Sequence, residues 1–157
     1  LRHKMSVSPI SALSDGRFNL IIPEIEQMTP ASTRRIVFCS GKVYYDLLES
    51  RQVHGISDIA LIRIEQLYPF PVEEFAAVIE EYEHVEDIVW CQEEPMNQGA
   101  WYPSQHHMRR VVGNQWPKIY LEYAGRDASA SPAALPRARR KLSCRGPEWR
   151  SRKYART

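Results

Sequence analysis

A chain of 157 residues has room for one domain with a real core, and 43% apolar with 25% charged residues is an ordinary globular composition. No apolar run is long enough to cross a bilayer as a helix, and the N-terminus lacks the charged-then-apolar pattern of a signal peptide. The net charge of +2 conceals a split: residues 136–157 carry nine Lys/Arg against the single acid Glu148, and the body before them is net −6, so a nucleic-acid reading rests on the tail alone.

The first stretch, residues 1–33, is a lead-in. It opens at Leu1 with the first methionine at Met5, as a fragment of something longer would. Arg2, Lys4 and Arg17 give it basic charge: either a solvated cluster or a site for an anionic effector. Arg17–Ile25 is expected to add an edge strand, because Pro23 is tolerated only at an edge or a bend. Short apolar runs at Arg35–Cys39, Ile59–Ile64, Ile88–Cys91 and Lys118–Tyr123 predict four more strands, centred roughly 25 to 30 residues apart, the spacing of repeated βα units.

Segments of helical period lie between the strands. The first helix is expected from Val43 to Arg51, with Val43, Tyr44, Leu47 and Leu48 on one face. The second is the clearest: Val72, Phe75, Ile79 and Tyr82 share a face, Pro71 suits the first helical position, and Glu73 and Glu74 favour the positive end of the dipole. The third starts near Pro103, where Met108, Val111 and Val112 extend an apolar face begun by Trp101 and Gln105. Five strands with interleaved helices imply a three-layer α/β/α domain with a five-stranded sheet, residues 34–134 forming the domain and the lead-in lending the edge strand. Cys39 and Cys91 each close a strand and Cys144 lies in the tail. Without metal-like spacing, they read as reduced thiols of a reducing compartment.

Candidate site residues cluster after the strands. Gly41 permits a tight turn and bares amides at a helix N-terminus, with Lys42 able to add charge for an anion. The plainer reading is that Gly41 only turns the chain and Lys42 is solvated. Glu93 and Glu94 are neighbours on an extended chain, so they point to opposite sides and do not share a proton. His106 and His107 are adjacent on a helix, about 100° apart, which separates one half-buried ring from one outward ring and excludes a shared metal ion. Trp101 and Tyr102 are core aromatics or subunit contacts, and Arg126 is placed to meet a carboxylate or phosphate.

Three strings carry a resemblance: Cys39-Ser40-Gly41-Lys42-Val43-Tyr44-Tyr45-Asp46-Leu47-Leu48, Ile64-Glu65-Gln66-Leu67-Tyr68-Pro69-Phe70-Pro71, and Cys91-Gln92-Glu93-Glu94-Pro95-Met96-Asn97-Gln98-Gly99-Ala100-Trp101-Tyr102. In this order and spacing they resemble the C-terminal domain of the thiamine-dependent first component of 2-oxoglutarate dehydrogenase, from about Leu1 to Ala134. The Gly125-Arg126 segment and Gln105-His106-His107 are similar to it as well. The resemblance implies a transketolase C-terminal-like fold: a mixed sheet in the order 1-3-2-4-5 with strand 1 antiparallel, the loops after Cys39 and Cys91 facing one crevice.

For the whole enzyme it implies decarboxylation of 2-oxoglutarate on thiamine diphosphate and magnesium, with the succinyl unit passed to a lipoyl-bearing succinyltransferase. It implies a homodimer and a place in the cytoplasm of a bacterium or the mitochondrial matrix. This stretch carries no Gly-Asp-Gly…Asn pattern, so it is expected to hold no cofactor or metal, to supply no catalytic residue, and to be inactive alone. Its expected task is support of the dimer and active site, with Glu93, Glu94, Asn97, Gly99, Trp101, Tyr102, His106 and His107 at a junction with upstream domains. Regulation through Arg2, Lys4, Arg17, Gly41, Lys42 and Arg126 is the further expectation. The rivals are a 2-oxoadipate-specific relative, a transketolase, or a stand-alone module that binds through its tail. Residues 135–157 leave the resemblance for a basic run, expected to be disordered, and read either as a frame change or truncation or as a natural basic tail.

Overall fold

The computed structural model describes residues 4–14, 16–26 and 28–130. The expectations for Arg2 and for the tail 135–157 lie outside the described residues. A short helix α1 (Ser11–Ser14) precedes β1 (Ile21–Ile22), and a 3-10 turn (Pro30–Ser32) leads into β2 (Arg35–Cys39). Then α2 (Val43–Val53), β3 (Ile59–Ile64), α3 (Val72–Glu80), β4 (Asp87–Pro95), α4 (Trp101–Gln115) and β5 (Leu121–Arg126) alternate. The sheet order is β1-β3-β2-β4-β5. The last four strands are parallel and β1 runs antiparallel to β3, as the resemblance implied.

The period of two along each strand builds the layers. Ile36, Phe38, Ile62, Ile88 and Trp90 face α3 and α4, where Phe75, Ile79, Met108 and Val112 complete one core. Val37, Cys39, Leu61, Val89 and Cys91 face the other way, against Val43, Tyr44 and Leu48 of α2. One helix covers one face and two cover the other, so the domain is a three-layer α/β/α sandwich. Phe38, Phe75 and Trp90 are completely buried, and each contributes on the order of 1.5–3 kcal/mol by leaving water.

Several boundaries differ from those read in the sequence, each for a local reason. β1 is only two residues long, because Pro23 offers no amide to continue its ladder. β5 starts three residues later than the apolar run suggested, since Pro117 and Lys118 make a turn closed by Ile119 N donating to Trp116 O at 3.0 Å. The strand then continues through Gly125-Arg126. β4 extends through Gln92-Glu93-Glu94-Pro95, a stretch that reads as loop. Its pairing with β2 ends at Cys39↔Cys91, so beyond Cys91 only β5 is alongside, across an irregular register, and a proline is tolerated there. Pro71 sits at the N-cap of α3 rather than inside its first turn, and Tyr82 is buried just past that helix. On α2 the fourth buried residue is Arg51, with Leu47 only half-buried.

Candidate functional site

β4 runs on past the end of its neighbour β2, and α2 leaves over one face of the sheet and α4 over the other. Loops that diverge in this way leave a crevice at the carboxyl ends of the strands. Here it is a cleft of about 550 Å³. Ser40 and Gly41 form one wall, Leu67 and Tyr68 of the β3–α3 loop a second, and Glu94, Gly99 and the first two turns of α4 the third.

Gln92 organises the third wall. Alternation from Ile88 and Trp90 turns its side chain into the core, where it is 2% exposed. Its Oε1 accepts from Trp90 Nε1 at 2.9 Å and from the backbone N of Trp101 at 3.0 Å, the latter capping α4. Its Nε2 donates to Pro95 O at 3.0 Å and Gln98 O at 2.7 Å, with Glu94 O at 3.3 Å. One neutral amide thus ties the strand, the loop and the helix together. Sequence reading passed over Gln92 in favour of the carboxylates beside it; its place two residues after Trp90, on the buried parity, was the available signal.

Gly99 closes the turn with φ of +68°, where a Cβ would also stand 3.1 Å from Glu94 Cβ and 3.2 Å from Gln92 Nε2. Asn97 exchanges two hydrogen bonds with Ser129, Nδ2 to the carbonyl at 3.1 Å and Oδ1 from the amide at 2.9 Å. The Tyr123 hydroxyl is within hydrogen-bond reach of Glu94 O at 3.2 Å and Arg126 O at 3.1 Å, and a Cβ at Gly125 would collide with that hydroxyl. The string from Cys91 to Tyr102 is therefore braced by Tyr123 of β5 and by Ser129 just beyond it.

The two glutamates part as expected. Glu93 lies 3.3 Å from Lys42 Nζ, which donates to Asp46 Oδ2 at 2.8 Å. Those bonds, first the one to Asp46, hold the Lys42 ammonium above its usual pKa despite its burial. The charge of Lys42 is thus engaged by two carboxylates, while Gly41, with φ of +72°, borders the cleft. Glu94 is exposed on the cleft wall.

Trp101 is a core residue, 4% exposed and packed on Tyr123 with ring centroids 5.2 Å apart, so it presents no anchor to a partner. Tyr102, 54% exposed, is the outward member of that pair. Gln105 stays half-buried while Ser104 takes the inward position, its hydroxyl buried at the cleft without a hydrogen-bond partner among the described residues. His107 stacks on Phe70 with centroids 5.3 Å apart and planes 6° from parallel, while His106 is exposed. Both border the cleft, and their ring centroids are 3.9 Å apart, closer than the helical angle alone suggested. Burial first, then the charges of His106 and Arg110, lower the pKa of His107.

The proposed anion contacts are scattered. Lys4 pairs with Glu49 at 2.6 Å, Arg17 is exposed before β1, and Arg126 ends β5. β1 and β5 are opposite edges of a five-stranded sheet, roughly 19 Å apart at ordinary strand spacing. These side chains do not gather into one site. Among the described residues no three His, Cys, Asp or Glu side chains form a group that could hold a metal ion. No helix is long and apolar enough to cross a membrane among the described residues.

The comparisons with known proteins agree with the fold. The profile described as 2-oxoglutarate dehydrogenase C-terminal matches residues 7–141, which carries the family past Ala134 into the first residues of the tail that was expected to leave it. The chain is 56% identical over 133 residues to the 2-oxoglutarate dehydrogenase E1 component of Azotobacter vinelandii. It is 53% identical over 133 residues to that of Haemophilus influenzae and 48% over 136 residues to that of Coxiella burnetii. Each match covers 85% of this chain and 14% of the relative, so the chain spans about a seventh of those proteins. The chain belongs to the 2-oxoglutarate dehydrogenase C-terminal family.

Proposed function

We propose that this chain is the C-terminal part of a 2-oxoglutarate dehydrogenase first component and supports, without itself performing, the decarboxylation of 2-oxoglutarate. The single observation that carries this reading is 56% identity to such a component over 85% of the chain. The whole enzyme would use thiamine diphosphate and magnesium, and pass a succinyl unit to a lipoyl-bearing succinyltransferase. The residues present offer that cofactor no ligand set: the sequence has no diphosphate-binding pattern, and the described carboxylates and imidazoles make no metal group. The cofactor is therefore assigned to the upstream domains, in a homodimer of a bacterial cytoplasm or a mitochondrial matrix.

Within that enzyme the cleft is a junction. Glu94, Tyr102 and His106 are exposed around the cleft, and the buried Ser104 hydroxyl borders it without a hydrogen-bond partner among the described residues, beside a loop that Gln92, Asn97 and Gly99 hold in place. Rigid polar groups beside an exposed tyrosine suit a fixed contact with an upstream domain or the second subunit. Tyr68, 92% exposed on the opposite wall, extends the same surface.

A chimaera tests both parts. The matched C-terminal segment of the Azotobacter vinelandii relative is replaced by this chain, and 2-oxoglutarate-dependent decarboxylation and dimerisation are measured. The chimaera is expected to be dimeric and active, Tyr102→Ala with Glu94→Ala to weaken the dimer, and the isolated chain to show no turnover. A folded, cofactor-loaded chimaera with no activity would sink the reading.

A further inference from the structure

Two cysteines stand side by side on neighbouring strands. Cys39 closes β2 and lies opposite Cys91 of β4 in the parallel register. Both turn to the α2 face of the sheet, both are fully buried, and both thiols are reduced. Registered residues on adjacent strands lie about 4.8 Å apart, inside the roughly 4.4–6.8 Å between Cα atoms that a disulfide spans. The residues that follow them, Ser40 and Gln92, line the cleft, so a bond here would join β2 to β4 beneath two of its walls.

A buried thiol is ordinarily inert, because reagents do not reach it. Under α2, however, a cavity of about 40 Å³ remains among Leu47, Leu61, Val89, Cys91 and Ala124. That volume admits a few water-sized molecules and nothing as large as a peptide disulfide. Cys91 borders the cavity, whereas the Cys39 thiol donates to Ile62 O at 3.9 Å. Arg51 borders it too, and its Nε–H is buried with no acceptor among the described residues. One small occupant is thus offered both a thiol and an unspent hydrogen-bond donor, which selects a molecule with an acceptor oxygen.

We propose that Cys91 and Cys39 are an oxidation site for hydrogen peroxide, which closes them to a disulfide. The Cys91 sulfur attacks one peroxide oxygen: an S–O bond forms, the O–O bond breaks, and the departing hydroxide leaves as water with the thiol proton. Cys91 is then a sulfenic acid. The Cys39 sulfur attacks it in turn, so the S–S bond forms, the S–O bond breaks, and the hydroxyl leaves as a second water with the Cys39 proton. The two thiols lose two electrons and one peroxide becomes two waters. Arg51 Nε–H donates to the oxygen that departs.

The test uses the full 157-residue chain carrying Cys144→Ser, so that only this pair is counted. Hydrogen peroxide is the probe, and the products are read from the mass of the chain and of its peptides. A Cys39–Cys91 link within one chain is expected, under conditions where a bulky aromatic disulfide reagent finds neither thiol. Cys39→Ser should stop at the sulfenic acid, trapped by a cyclic diketone, and Cys91→Ser should leave Cys39 reduced. Ala124→Leu fills the cavity and should slow oxidation on the order of tenfold in chain that still excludes the bulky reagent. Thiols that peroxide leaves reduced, or links between chains, overturn the site. A bulky reagent that reacts as fast as peroxide, or an unchanged rate in Ala124→Leu, overturns the cavity as the route. Oxidation of Cys39 in Cys91→Ser overturns Cys91 as the thiol that meets the peroxide.

Discussion

Two buried polar side chains fasten peripheral chain to this sheet, and they do it by different physics. Gln92 holds the β4–α4 loop with a neutral amide whose donors and acceptors are both engaged by backbone and Trp90. Arg51 holds the lead-in with a guanidinium set between Glu24, Glu26 and Ile59 O. Amide networks lose only hydrogen bonds when cut. An ion pair out of water leaves an uncompensated charge when one partner goes. The two ends should therefore differ in what their loss costs and in how they answer to pH.

The largest effect is expected at Arg51. Arg51→Met leaves Glu24 buried without its cation and should cost about 3–5 kcal/mol at neutral pH, read from denaturant melts. Gln92→Ala strands Trp90 Nε1 and the Trp101 amide, and should cost about 1–3 kcal/mol. Equal losses at the two sites would erase the distinction between ionic and neutral fastening.

Titration sharpens it. Burial pushes the Glu24 carboxyl up, but bonds from Arg51, Leu61 N and Glu26 N outweigh that and hold it below the ordinary value of 4.5. A carboxyl lowered in the folded state contributes stability that is full above its unfolded pKa and is lost as pH falls through the folded one. Melts of the parent should thus lose stability below about pH 4.5, the unfolded value. Arg51→Met should flatten that slope, and Gln92→Ala should shift the whole curve without bending it. A slope unchanged in Arg51→Met would mean that other carboxylates dominate acid unfolding.

The same two regions show what the sequence could tell. The turn of the β4–α4 junction was legible, because a strand followed by Glu-Glu-Pro, then Gly99, then aromatics marks a turn at the end of a parallel strand, although the strand itself runs on to Pro95 where the sequence reads as loop. The parity argument separated Glu93 from Glu94, and half-burial separated His107 from His106. Gln92 was missed because a glutamine carries no charge to draw attention. Trp101 was left between core and interface, because its burial depends on Tyr123, a partner 22 residues away with no local signature. The clasp at Arg51 was hidden altogether. Its acids lie in a lead-in whose pairing is two residues long, and 27 residues separate Arg51 from Glu24, so no periodicity links them. The strand order came through the resemblance, not from periodicity, which fixes elements but not their neighbours.

Gly99 offers a smaller test of the neutral junction. Gly99→Ala forces a side chain into a left-handed conformation, which costs about 1–2 kcal/mol, and sets its Cβ against Glu94. Gly41, with a similar φ of +72°, has open space around a Cβ. Gly41→Ala should therefore destabilise less than Gly99→Ala in thermal melts. The reverse order would show that the Glu94 wall yields to a methyl group and that the junction is softer than its hydrogen bonds indicate.

The finest effect concerns His107, a titratable group at the cleft whose protonation the fold opposes. Its ring is held against Phe70, and burial is the leading cause of its lowered pKa, with the charges of His106 and Arg110 adding to it. Removing the neighbouring imidazole by His106→Ala should raise the His107 pKa only part of the way to 6.5, because the Phe70 stack remains. Phe70→Ala should raise it further, by opening the ring to water. Both are read from imidazole proton shifts in a pH titration. If His106→Ala alone restores 6.5, the repulsion between the rings outweighs burial, and the cleft responds to charge as the lead-in does.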